Sequence, residues 1–194
     1  IRLWMEKRHV IRKILTSVVF ACFVGCCFYT VTAVHAWFGQ VWDPAQYQGL
    51  DATAYLETTF PEDAAAIRWL NEHVTGDPVV LEANGDSYSD YERVSAMTGL
   101  PTVLGWYVHE WLWRGDTGAL NERAQEVEAI YTSTNQEEVK KLLEKYRVRY
   151  IFVGAREREK YAALNESMLQ SLGNIVFSDE QSQTYVLQVA FSGQ

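Results

Sequence analysis

The chain has 194 residues and a formal net charge of -8. This charge is unevenly spread, because residues 1–13 carry +4 and the remainder therefore carries -12. So acidic a remainder excludes a nucleic-acid-binding protein, whose affinity comes mainly from Lys and Arg that neutralise phosphates. The 3 cysteines all lie in the apolar N-terminal segment, so the sequence predicts neither a disulfide framework nor a Cys-X-X-Cys zinc site.

The first predicted element is a transmembrane helix over residues 14–38. No Asp, Glu, Lys or Arg occurs between Lys13 and Asp43. At about 1.5 Å per residue, the apolar core of this segment reaches about 34 Å, which crosses a hydrocarbon layer of about 30 Å. A cleaved signal peptide is the alternative, but its apolar region is only about 7–15 residues long.

The flanks of this helix predict its orientation. Trp4 precedes the span, and Trp37 and Trp42 follow its apolar core, which ends at Ala36, as expected of aromatic side chains at a membrane interface. Because the basic flank is N-terminal, residues 1–13 are expected in the cytoplasm and residues 39–194 outside it. Residue 1 is Ile, not Met, so we expect the chain to be a piece of a longer or processed protein.

Residues 39–60 show no sustained hydrophobic period and predict a connector, and residues 61–194 predict one extracytoplasmic domain.

The early elements of that domain have clear boundary residues. Pro61 predicts the first position of a helix that ends at Gly76, and Ser89 predicts the cap of a short helix that ends before Gly99. Buried strands are predicted at Val79–Leu81 and Thr102–Leu104.

The later elements alternate between helices and strands. Helices are predicted over Tyr107–Arg114, over Asn121–Tyr131, after a cap at Thr134 or Asn135, and over Glu157–Leu172. Strands are predicted over Val148–Gly154, Asn174–Phe177 and Thr184–Ala190. This order is typical of a small, mainly parallel α/β (Rossmann-like) domain with an antiparallel hairpin at its C-terminal end.

The stretch from Pro78 to Asp116 carries the candidate site. Ligands of parallel sheets bind where strands end, and the loops after Leu81, Leu104 and Val153 leave such ends. Arginines there can hold phosphate or carboxylate in bidentate fashion, and indole rings can cover the apolar face of a sugar. The predicted ligand-binding residues are Glu82, Tyr88, Arg93, Trp106, His109, Glu110, Trp111 and Arg114.

Simpler interpretations of these residues stay open. Glu110 and Arg114 stand four residues apart, so on a helix they can form a plain side-chain pair. His109 can be a structural histidine, and the tryptophans can pack in the core or face a membrane. Four acids, Glu82, Asp86, Asp90 and Glu110, could gather a hard cation, but their spacing fits no known motif and we predict no metal site.

Familiar catalytic motifs do not occur in the sequence. It contains no GxGxxG, GxxxxGK[ST], GxSxG or HExxH. The sequence therefore identifies no cofactor and no catalytic residue. A free-standing hydrolase is disfavoured because no nucleophile lies beside a base.

Two blocks of sequence resemble a known family. They are LEANGDSYSDYERVSAMTGLPTVLGWYVHEWLWRGD and EAIYTSTNQEEVKKLLEKYRVRYIFVG. Together they are similar to the C-terminal extracytoplasmic part of the bacterial and archaeal multi-pass YYY-domain (DUF2298) membrane proteins. The similarity covers roughly residues 61–189. This family looks like a divergent relative of the GT-C glycosyltransferases, which transfer sugar from a polyprenyl-phosphate carrier outside the membrane.

The resemblance implies a role for the chain and for its candidate site. Residues 14–36 would be the last of many membrane helices. GT-C enzymes keep their key acidic residue in an early extracytoplasmic loop that this chain lacks, so the chain would contribute acceptor or carrier binding. The implied partners are the bilayer, a polyprenyl-phosphate sugar and upstream membrane helices of the same protein. The alternative is a non-enzymatic, membrane-anchored domain for ligand binding or assembly.

Overall fold

A computed structural model describes residues 2–39 and 54–190, with the side chains of residues 8–39 and 54–190. The chain forms two compact units, Ile1–Asp51 and Ala52–Gln194. Most of the predicted connector and Trp42 lie outside the described residues, as does the side chain of Trp4. The predicted domain boundaries therefore stay predictions.

The first unit contains one long helix, α1 (Arg2–Phe38). Its part from Arg8 to Phe38 is long and apolar enough to cross a membrane. Hydroxyls inside the span donate to carbonyl oxygens of the preceding turn, as Thr16 does to Arg12 at 2.8 Å and Thr32 to Phe28 at 3.1 Å. Such bonds satisfy polar groups where water is absent. The apolar helix agrees with the predicted span, and its sidedness stays a prediction.

The second unit is an α/β domain. Its helices are α2 (Leu56–Thr59), α3 (Pro61–His73), α4 (Arg93–Thr98), α5 (Tyr107–Arg114), α6 (Gly118–Thr132), α7 (Gln136–Tyr146), α8 (Ala155–Lys160) and α9 (Glu166–Gln170). Its strands are β1 (Val79–Leu81), β2 (Val148–Val153), β3 (Gly173–Ser178) and β4 (Tyr185–Val189). The predicted α/β class is confirmed.

The four strands form one sheet in the order β1-β2-β4-β3. β1 and β2 are parallel, whereas β4 is antiparallel to both of its neighbours, so the predicted C-terminal hairpin is confirmed and the sheet is mixed. The parallel part is smaller than expected because Thr102–Leu104 makes only a single bridge to Val80 instead of a strand. Pro101 accepts the Val80 N–H at 2.9 Å but has no N–H of its own to continue a ladder.

Strand alternation divides the core between the two faces of the sheet. Phe152 packs with the helices α2, α3 and α4 on one face. Ile151 and Val153 pack with α6, α7 and α9 on the other. Residues 82–106 leave the end of β1 and return beside it, so the candidate site lies at the edge where the parallel strands end.

Two predicted helices differ from the structure. Ser89 is not a cap, because its hydroxyl donates to the Asp86 carbonyl at 2.5 Å, and α4 begins only after Glu92, at Arg93. The predicted helix over Glu157–Leu172 is instead two short helices, since Asn165 caps the second by accepting the Met168 N–H at 3.2 Å. An Asn cap starts a new helix and so interrupts a longer one.

The end of α7 yields a prediction about stability. Arg147 occupies the C-cap in the left-handed region at φ 54°, where a side chain is disfavoured and glycine is not. Arg147→Gly is expected to raise the free energy of unfolding of the second unit by about 0.5–1 kcal/mol. Urea unfolding of the full chain in lipid nanodiscs measures this, with Glu144→Gly inside the last turn as the control that should lower it by about 1 kcal/mol. A loss of stability in Arg147→Gly would contradict the prediction.

Candidate functional site

A cavity with a volume of about 610 Å³ lies beside α4 in the second unit. Aromatic rings form much of its wall: Tyr55, Phe60, Tyr88, Tyr91 and Trp106. Polar groups at the wall come from Thr59, Ser89, Asp90, Glu92, Arg93 and Ser95. Three of the eight predicted ligand-binding residues, Tyr88, Arg93 and Trp106, therefore line one cavity.

Tyr88 forms an aromatic cluster at this cavity with Trp106 and His109. Trp106 and His109 stack with their ring centres 5.3 Å apart, and Tyr88 meets both rings at 5.1–5.6 Å. The Trp106 indole N–H donates to the Tyr91 carbonyl at 3.0 Å, which fixes the orientation of the indole. The buried Nδ1 of His109 has no hydrogen-bond partner within the described residues. His109 thus supports the Trp106 wall by stacking.

Arg93 lines the same cavity, but its charge is directed inward. Its Nε donates to Asp63, and its Nη2 donates to Glu157 at 3.1 Å. Both carboxylate side chains are fully buried, and the Arg93 side chain is 2% exposed. Burial lowers the pKa of Arg93, but the Glu157 and Asp63 carboxylates outweigh it and leave the pKa raised. The guanidinium is therefore a paired structural charge that links α3, α4 and α8.

Backbone groups complete this buried network. Glu157 accepts the Gly154 N–H at 2.9 Å and the Ala83 N–H at 3.0 Å, so it joins the two parallel strand ends. Thr184 donates its hydroxyl to Asp63 at 3.3 Å. Only glycine fits at position 154, because an added Cβ would lie 2.5 Å from an Asp63 carboxylate oxygen. Every member of the network is satisfied, as a buried polar group must be.

Glu82, which directly follows β1, also has a structural role. Its two oxygens accept the Val94 and Ser95 N–H groups at 2.8 Å and 2.7 Å, at the start of α4. Burial raises the pKa of Glu82 to about 7. Its carboxylate therefore holds α4 against the strand end and leaves little capacity for a ligand.

Glu92 is a second buried acid at the cavity. Its carboxylate accepts the Gly85 N–H at 3.4 Å. Burial, together with the nearby carboxylates Glu82 and Glu110, raises the pKa of Glu92 to about 8. The backbone of Glu92 lies in the left-handed region at φ 66°.

The remaining predicted residues lie on α5. Glu110 pairs with Arg114 one turn away, and it also accepts the Gly105 N–H at 3.0 Å. This is the plain i, i+4 pair that the sequence left open. Trp111 is on the exposed side of α5 and does not line the cavity. No group of three acids, histidines or cysteines that could hold a metal occurs within residues 2–39 and 54–190.

Sequence reasoning missed several polar residues of this region. The Lys160 ammonium donates to the backbone carbonyl of Asn84 and, at 3.1 Å, to the side-chain oxygen of Asn84, and so ties α8 to the loop after β1. Burial lowers the pKa of Lys160. Asp63 and Glu157 belong to the same group, and their only sequence signal is a position in the first turn of a helix, α3 and α8 respectively.

This arrangement suits an uncharged, hydroxylated ligand better than a phosphate. Aromatic walls bind the apolar face of a ring, and the serine hydroxyls and the Asp90 carboxylate at the rim can bind hydroxyl groups. The only cation among the described lining residues, Arg93, is already paired with two carboxylates. Asp90 itself pairs with Arg156 at 3.1 Å.

No family model matches the sequence, and no curated protein matches it. Among solved structures, the chain is similar to a crystal structure of the C-terminal globular domain of oligosaccharyltransferase from Archaeoglobus fulgidus. The match has a TM-score of 0.42 and 13% sequence identity, and it covers 66% of this chain and 97% of that chain.

Proposed function

We propose that this chain is the C-terminal membrane helix and extracytoplasmic domain of a GT-C-like membrane glycosyltransferase that uses a polyprenyl-phosphate-linked sugar. The observation that carries the proposal is the aromatic-walled cavity of about 610 Å³ at the strand-end edge of the sheet. The membrane-length helix α1 adds the required membrane setting. The two sequence blocks, which include Glu82 and Trp106, contribute the resemblance to the family.

Within this function, the domain binds the sugar or the acceptor, and another part of the protein catalyses the transfer of the sugar. The resemblance implies that the acidic catalytic loop lies outside this chain. Of the eight predicted residues, Tyr88 and Trp106 contact the sugar or a hydroxylated acceptor, and His109 positions Trp106. Glu82 and Arg93 hold the cavity in shape through buried bonds. Glu110 and Arg114 stabilise α5, and the carrier phosphate binds elsewhere.

A binding experiment tests the role of the cavity. Trp106→Ala is expected to weaken binding of a methyl glycoside panel to the full chain in nanodiscs by about tenfold, equivalent to about 1.4 kcal/mol. Saturation-transfer NMR with competition measures the affinity. Trp69→Ala is the matched control, because Trp69 is a partly buried tryptophan that stacks on His73 and does not line the cavity. Equal affinity in Trp106→Ala and the unmodified chain would remove the cavity from the proposal.

A transfer experiment tests the enzyme class separately. Membranes that contain the whole protein are expected to transfer sugar from a polyprenyl-phosphate donor, and Trp106→Ala should reduce this transfer while Trp69→Ala should not. The double variant His109→Ala, Arg114→Ala tests the α5 region in the same assay. A protein that binds glycosides but transfers none from any such donor contradicts the glycosyltransferase assignment.

That second result would favour a non-enzymatic, membrane-anchored ligand-binding domain. One observation favours this alternative: among the described residues that line the cavity, no nucleophile lies beside a free base. The Ser95 hydroxyl at the cavity donates to the Glu92 carbonyl at 3.3 Å. The cavity itself is thus built for binding.

A further inference from the structure

The C-terminal turn of α5 carries three consecutive exposed apolar side chains. Trp111 is 43% exposed, Leu112 is 68% exposed and Trp113 is 87% exposed. None of the α5 residues is buried. Large apolar side chains normally lie inside a protein, and a contiguous exposed set marks an interaction surface. We name Trp111, Leu112 and Trp113 the α5 ridge.

The geometry of the α5 ridge favours a bilayer interface over a flat protein surface as its partner. Successive helical residues point about 100° apart, so these three side chains cover about 200° of the helix circumference. A flat protein surface can cover one side of a helix, but it leaves the others in water. A bilayer interface surrounds a projecting ridge, and tryptophan is enriched at that interface.

The net charge of the chain and the length of residues 40–53 indicate what kind of partner contacts the α5 ridge. The formal charge of the sequence is -8, so attraction to anionic lipid is not expected. Glu110 and Arg114 neutralise each other on α5. Residues 40–53, between the two described parts of the chain, can span at most about 50 Å even if fully extended. The domain is therefore confined to the neighbourhood of a bilayer, and weak apolar contacts suffice there.

We propose that the α5 ridge inserts into the headgroup region of the bilayer in which α1 is anchored, through contacts with zwitterionic lipid. Trp111 and Trp113 lie at the level of the headgroups, and Leu112 reaches toward the acyl chains. Because the contact is apolar, it persists at high salt, where electrostatic membrane binding is screened. This surface does not include the cavity, so the inference is independent of the sugar-binding proposal.

Site-directed spin labelling of the full chain in phosphatidylcholine nanodiscs tests this inference. The native cysteines Cys22, Cys26 and Cys27 are replaced by alanine, and a nitroxide is attached at Leu112→Cys. Power saturation compares collisions with oxygen, which concentrates in lipid, and with a nickel chelate, which stays in water. The matched control is the same label at Glu144→Cys, on an exposed position of α7.

The expected result is a higher oxygen-to-nickel collision ratio at residue 112 than at residue 144, unchanged by high salt. Adding Trp111→Ala and Trp113→Ala should remove this difference. Equal ratios at the two positions overturn the inference. Low collision rates with both reagents at residue 112 also overturn it, because they identify a protein partner or a second copy of the chain. Circular dichroism of each labelled chain confirms that it is folded.

Discussion

Replacing Arg93 by methionine is expected to lower the free energy of unfolding of the second unit by about 3–5 kcal/mol. The substitution leaves Asp63 and Glu157 buried without their shared cation. An unpaired buried carboxylate must either remain charged in a low-dielectric environment or bind a proton, and both cost free energy. Since a domain of this size has only about 5–15 kcal/mol of stability, much of the fold would be lost.

Urea unfolding of the full chain in nanodiscs, followed by near-ultraviolet circular dichroism, measures this effect. Arg68→Met is the matched control, because Arg68 pairs with Glu57 at 2.5 Å on the surface, with both side chains more than half exposed. Exposed pairs contribute about 0–1 kcal/mol. A loss in Arg93→Met no larger than in Arg68→Met would show that the buried pairs do not stabilise the domain.

A second variant separates charge from packing. In the triple variant Arg93→Met, Asp63→Asn, Glu157→Gln, no buried charge remains without a partner. It is expected to recover part of the stability lost in the single variant, because replacing a complete buried ion network costs less than breaking it. If the triple variant is less stable than Arg93→Met, the main loss comes from the hydrogen bonds that the carboxylates accept, for example the one that the Ala83 N–H donates to Glu157.

The correctly predicted parts of the fold depend on local signals. Pro61 occupies the start of α3, Gly99 the left-handed C-cap of α4, and Asn135 caps α7 by accepting the Glu138 N–H at 3.3 Å. The apolar run of β2 forms a strand with both faces largely covered. Each signal acts within a few residues, so the sequence contains all of it.

The site depended on contacts between distant segments, and there the sequence was ambiguous. An arginine in a polar stretch looks the same whether it faces solvent or pairs inward, and Arg93 meets Asp63 and Glu157 from 30 and 64 positions away. Glu82 was likewise indistinguishable from a ligand-binding acid until its bonds to the start of α4 were visible. Tyr88 and Trp106 could be proposed as ligand contacts, but only the fold places them on one cavity.

The stability of the second unit is expected to fall as pH rises from about 5 to about 8. Burial raises the pKa of Glu82 to about 7 and that of Glu92 to about 8. Each folded pKa lies above its ordinary value of about 4.5, so the folded state binds more protons between those values than the unfolded state. The stability that these two groups contribute is therefore complete below about pH 4.5 and is lost as pH rises through the folded pKa.

The same linkage between proton binding and folding gives the size of this loss of stability and the pH below which stability falls again. For Glu82, a rise of pH from about 4.5 to about 7 removes on the order of 3 kcal/mol. Other acids act oppositely at low pH, because their hydrogen-bonding partners lower the pKa of Glu166 and Asp179. Their contribution is present above about pH 4.5 and is lost as pH falls below it. We therefore expect maximal stability near pH 5, not at neutral pH.

Thermal unfolding of the full chain in nanodiscs across pH 4–9 measures this profile, and Glu92→Gln identifies its source. Glutamine keeps the shape of the side chain and an oxygen for the Gly85 N–H but cannot ionise, so the slope between about pH 6 and pH 8 should become shallower. Glu128→Gln, on the exposed side of α6, is the matched control and should leave the slope unchanged. Stability that increases from pH 5 to pH 8 in the unmodified chain would contradict the assignment, since acids whose pKa is raised by folding can only oppose such an increase.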